Sequence, residues 1–104
     1  MSKKSNIDEL TNVSVKALRH KIGSIVNENE IYSQKYAKDA EILIKLAQKI
    51  ATRENWNQYD KTEIGKELRK KLLKELKEKE FLDNKKFEIM DEEIESLLKL
   101  LKLK

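Results

Sequence analysis

His20 is the only histidine in the chain, and there is no cysteine. A multi-histidine metal site, a two-histidine acid–base pair, a thiolate metal site, a cysteine nucleophile and a disulfide are therefore all excluded within one chain. His20 sits in Leu18-Arg19-His20-Lys21-Ile22-Gly23-Ser24. A helical histidine beside a Gly-Ser pair could accept a phosphoryl group. The position before Gly23 is held by Ile22 rather than a lysine that would draw the phosphate, so an ordinary surface or partly buried histidine is the stronger reading. Asp91-Glu92-Glu93 could attract a cation, but no calcium-loop pattern or glycine turn accompanies it. There is no glycine-rich phosphate loop and no nucleophile elbow. The expectation is a non-enzymatic protein with no catalytic residue, cofactor or metal.

The basic residues offer a second kind of chemistry. The segment 61–79 is the most basic, and Lys66, Lys70, Lys74 and Lys77 share one helical face opposite Ile64, Leu68, Leu72 and Leu76. Lys35, Lys38, Lys45, Lys49 and Arg53 form a similar stripe opposite Leu43 and Ala47. Such ridges can follow phosphates with salt-dependent, sequence-independent affinity. Glu63, Glu67 and Glu78 flank the first ridge, however, and a solvated Lys/Glu face is the plainer explanation. Trp56 and Tyr59 lie in a polar loop, where a tryptophan either closes the end of a core or stands exposed for a partner or a base to stack on. Residues 42–90 could be a winged helix-turn-helix with 61–79 as recognition helix and 81–90 as wing. The long connection from Arg53 to Asp60 and the scarcity of Arg, Asn, Gln and Ser in 61–79 weigh against that.

These side chains must be carried by helices. From Ser14 to Arg53, Leu18, Ile22, Ile25, Tyr32, Tyr36, Ala40, Leu43, Ala47 and Ile50 recur at helical spacing, with Asn29 at the one skipped place. Ser14 is the expected N-cap, and residues 1–13 are expected to be a flexible lead. The polar Asn27-Glu28-Asn29-Glu30 either breaks the helix or lies within a continuous one spanning 14–53. The stripe keeps its phase across this patch, which favours continuity, and an Asn at a seam can fix register between paired helices. Asp60 with Glu63 has capping-box spacing and predicts a helix over 61–80. Residues 81–90 read as a small hairpin or an ordered loop. Asp91 is the expected cap of a last helix over 91–103, in which Leu97, Leu98, Leu100, Leu101 and Leu103 wrap more than half the circumference. Such an excess asks for two neighbours or another chain.

With 104 residues, no proline and two glycines, Gly23 and Gly65, the chain reads as one all-α domain. The expected form is an antiparallel, coiled-coil-like bundle of three helices with a long first one, or four if that helix breaks near Asn27–Asn29. Lys and Arg number 23 against 19 Asp and Glu, a net +4, and 40% of residues are charged. No apolar run is long enough to span a bilayer and no signal-peptide pattern precedes the helices. The expectation is thus a cytoplasmic protein without membrane contact. Its expected work is association, as a small basic adaptor binding itself, as a dimer, or another protein. The expected interface is Asn29, Tyr32, Tyr36, Leu97, Leu98 and Leu101. The alternative is nucleic-acid binding, to DNA or RNA, through Lys66, Lys70, Lys74, Lys77 and Trp56.

Overall fold

The computed structural model describes residues 2–28 and 30–104, and it is all-helical: α1 (Lys3–Val26), α2 (Ser33–Ala51), α3 (Gln58–Glu78) and α4 (Lys85–Leu100), with no strand among the described residues. The long helix over 14–53 is not formed. The chain turns back between Val26 and Ser33, and the molecule's longest dimension is 40 Å, where a 40-residue helix would reach about 60 Å. Each half carries its own apolar stripe, so phase retention across the patch did not require continuity. Folding back lets the two stripes cover one another, whereas a straight helix would leave both waiting for other cover. Asn27 fixes the end of α1. Its N–H donates to the Gly23 carbonyl at 3.1 Å, its side-chain amide donates to the Phe81 carbonyl at 3.2 Å, and its Oδ1 accepts from the Asp83 N–H at 3.1 Å. The polar patch is thereby bonded to the α3–α4 connection. The seam position given to Asn29 lies outside the described residues.

The flexible lead over 1–13 is likewise replaced by helix. Ser2 caps α1, its hydroxyl accepting from the Ser5 N–H at 3.1 Å, and Asn6, Leu10 and Thr11 are buried in the turns that follow. Ser14 is therefore no cap but a buried mid-helix residue. The polar look of the first residues misled because the two polar side chains that fall on the buried face are bonded. Thr11 Oγ1 donates to the Ile7 carbonyl at 2.7 Å, and Asn6 Nδ2 donates to Glu54 at 2.9 Å.

α3 starts one turn earlier than expected. Asn57 is the cap, and Asp60 is the reciprocating third residue of the box: Asn57 Oδ1 accepts from the Asp60 N–H at 2.8 Å and Asp60 Oδ2 from the Asn57 N–H at 3.1 Å. α4 also begins earlier, at Lys85, so 81–90 is a tight turn and a first helical turn rather than a hairpin or wing, and Asp91 lies inside the helix. Lys86 is only 3% exposed; its ammonium donates to the Lys79 carbonyl at 2.7 Å, at the C-terminal end of α3. A cation there complements the carbonyl-rich end of the helix. α4 closes with the Leu103 N–H on the Leu98 carbonyl at 2.8 Å and Lys102 left-handed at φ 61°, a Schellman-type end that turns Leu103 into the core.

The helices run alternately up and down. α1 and α3 are parallel, since Lys3 meets Asp60 near one end (2.7 Å) and Arg19 meets Glu75 near the other (3.5 Å). α2 returns along α1, bringing Arg53 to Glu9 at 2.9 Å. α1 is the shared spine: every other helix packs on it, and α2 has no other helix as a substantial neighbour. Leu10, Leu18 and Ile22 of α1 meet Ile50, the Ile64/Leu68/Leu72/Leu76 row and Ile94, Leu97 and Leu98 in one core. Each fully buried side chain of this size contributes about 1.5–3 kcal/mol.

Candidate association surface

Leu97, Leu98 and Leu101 do not reach the surface. Each is at most 6% exposed and packs within the chain's own core, as does Leu103, while Leu100 of the same helix stays 49% exposed. These three belong to the core and not, as expected, to an interface. Tyr36 is half-buried, its ring edge-on to His20 at 5.7 Å and seated against Gly23. Tyr32, at 60% exposure, is the expected interface residue that stands open to solvent.

The surface around Tyr32 was not fully visible in the sequence. α2 buries Ala40, Ala47, Ile50 and Ala51 against α1, yet it carries further apolar residues away from that contact. Ile42 is 63% exposed and Leu46, one turn on, 40%. They lie on the same side of α2 as the exposed Lys35, Lys38 and Lys49, while Ile31 and Tyr32, also exposed, precede the helix, with the Tyr32 ring 6.4 Å from that of Tyr36. None of these three lysines has an ion-pair partner among the described residues, whereas Lys45 is paired with Glu41. The signal was present: Ile42 and Leu46 fall off the Tyr36–Ala40–Leu43–Ala47 stripe, and a helix needing only one covered face has no use for them.

On α3, Lys66, Lys70, Lys74 and Lys77 all face solvent, with no ion pair to any of them among the described residues. Trp56 is half-buried, packed against the core, and its indole N–H donates to the Ala51 carbonyl at 2.8 Å. It closes the end of the bundle. Carboxylates mostly pair across helices instead of along one: Arg69 with Asp91 at 2.6 Å and Lys21 with Glu93 at 2.6 Å join α3 and α1 to α4. No group of three or more His, Asp or Glu among the described residues is placed to hold a metal ion, and no described helix is long and apolar enough to cross a membrane. Comparison of the chain with protein-family models, curated proteins and solved structures gave no match.

Proposed function

We propose that this protein is a non-catalytic association module whose working surface is the outer face of α2. The observation that carries this reading is the exposed Ile42/Leu46 pair on a helix already satisfied on its α1 side. Exposed apolar side chains grouped within a polar frame mark a contact surface. The frame selects the partner. Lys35, Lys38 and Lys49 lie beside the apolar residues, and a two-fold α2–α2 contact centred on Ile42 would set Lys35 against Lys49. Like charges so placed oppose docking. The face fits an amphipathic helix whose apolar stripe is framed by carboxylates, as in helix-in-groove recognition.

The test is titration with a labelled Leu/Glu amphipathic peptide, read by anisotropy, beside light scattering of the protein alone. Binding that weakens with salt, and is lost in Ile42→Lys/Leu46→Lys with an unchanged helical spectrum, supports the reading. No binding, or binding indifferent to the double variant, overturns it. A dimer abolished by the same variant would replace the foreign partner with a second copy.

A second reading rests on the α3 ridge. Four solvent-facing lysines without ion pairs support sequence-independent contact with nucleic acid. Mobility shifts at low salt that vanish in Lys70→Glu/Lys74→Glu would establish it, and their absence in the wild type would remove it.

A further inference from the structure

A second feature lies where α1, α2 and the α3–α4 connection converge. Arg19, His20 and Gly23 of α1, Tyr36 of α2, and Lys79, Phe81 and Leu82 line a cavity of about 170 Å³. Its walls combine two chemistries. Tyr36, Phe81 and Leu82 give it apolar and aromatic sides, while Arg19 and Lys79 bring two fixed positive charges and His20 a third polar group. The cations are only partly committed to the fold. The Arg19 guanidinium approaches Glu75 no closer than 3.5 Å, longer than the roughly 2.7–2.9 Å of a full charge-assisted bond. Lys79 has no ion pair among the described residues; its backbone carbonyl is what Lys86 occupies. His20 Nδ1 lies 2.7 Å from the Lys16 carbonyl, which can only accept, so Nδ1 carries a proton, and Nε2 of the neutral ring, an acceptor, offers an oxyanion no hydrogen bond.

Gly23 completes the site. A Cβ there would stand 3.2 Å from the Tyr36 ring and 3.5 Å from Leu82. A glycine within a helix costs about 0.5–1 kcal/mol relative to alanine, and what it gives here is the close seat of the Tyr36 ring that forms one wall.

We propose that this cavity binds a small organic oxyanion: a phosphate or carboxylate carried on a single flat ring. The volume sets the size, since a cavity of about 150 Å³ admits one benzene ring. The ring lies between Tyr36, Phe81 and Leu82, and the charged head meets Arg19 and Lys79. Guanidinium is the side chain best shaped for either head.

The probes are phenyl phosphate, benzoate, phenol and inorganic phosphate, each titrated into uniformly ¹⁵N-labelled protein. Phenyl phosphate or benzoate should shift the Gly23, Tyr36 and Leu82 amides saturably, and the tighter of the two assigns the head group. Phenol and inorganic phosphate should each bind about tenfold more weakly, having lost one half of the contact. Arg19→Gln and Lys79→Gln, checked for wild-type helical melting, should each weaken the better ligand about tenfold, the worth of one charge-assisted bond. The proposal falls if no probe gives saturable shifts at these residues, if inorganic phosphate binds as well as phenyl phosphate, or if both folded variants bind as the wild type does.

Discussion

Gly23 and Gly65 look alike in the sequence, each a lone glycine inside a helix beside apolar neighbours, and their surroundings separate them. A Cβ on Gly65 would lie 3.8 Å from Leu98 Cδ1, an ordinary contact with nothing to displace. Gly65→Ala should therefore stabilise the fold by up to about 1 kcal/mol through helix propensity alone. Gly23→Ala must push the Tyr36 ring aside and should show no such gain. Urea unfolding of the two variants measures the difference. Asp60 makes the second residue-scale case. Its hydrogen bond with Lys3, above all, holds the carboxyl below its ordinary 3.8, with the Asn57 N–H and the Lys3 charge acting the same way against the opposing effect of burial. A carboxylate whose pKa is lower folded than unfolded adds stability that is present above 3.8 and is lost as pH falls through the still lower folded value. Asp60→Asn and Lys3→Gln should each flatten that acid limb, as read from melting temperatures at neutral and acid pH. The sequence pointed to Asp60 as a cap and missed that it is the partner of one. Two overlapping Asn/Asp signals three residues apart fit the same loop, and only the chain's path to Lys3 decides between them.

At the scale of elements, what the sequence showed depended on whether the deciding interaction was local. The face Ile64–Leu68–Leu72–Leu76 was legible in full and is buried as expected, because periodicity within one helix fixes it. The break after Val26 was legible only as the alternative to a continuous helix, since what decides it is Asn27 bonding to Phe81 and Asp83, more than fifty residues away. The same holds for α4. Its leucine surplus announced two neighbours or another chain; Leu97, Leu98, Leu101 and Leu103 are buried in the core with α1 and α3 as neighbours, and Leu100 is left exposed. A substitution expected to separate one copy from another should therefore act on the fold. Leu98→Ala should cost about 2–5 kcal/mol by leaving a cavity, and Leu98→Glu should leave the chain unfolded at room temperature. Circular dichroism with denaturant titration distinguishes this from dissociation, which would depend on protein concentration.

At the scale of the whole molecule, the sequence marked Tyr32 because it belongs to the stripe, whereas the exposure of Ile42 and Leu46 could be recognised only after α1 had claimed the other side of α2. That division of α2, one side held and one side open, has a consequence for how the molecule breathes. α1 is packed by three helices and α2 chiefly by α1, through the most extensive helix–helix contact of the fold and with Ala47, Ile50 and Ala51 in the shared core, so α2 leaves as one unit by giving up that one interface. Native proteins open in such units, each with its own free energy below the global value. Native-state hydrogen exchange should accordingly find the amides of 40–50 exchanging through a sub-global opening at low denaturant. The amides of Leu18–Ile22 and of Leu68–Leu72 should exchange only with complete unfolding. The helix that presents the contact surface would then open as a unit of its own, and a partner that grips it would lengthen the life of the closed state.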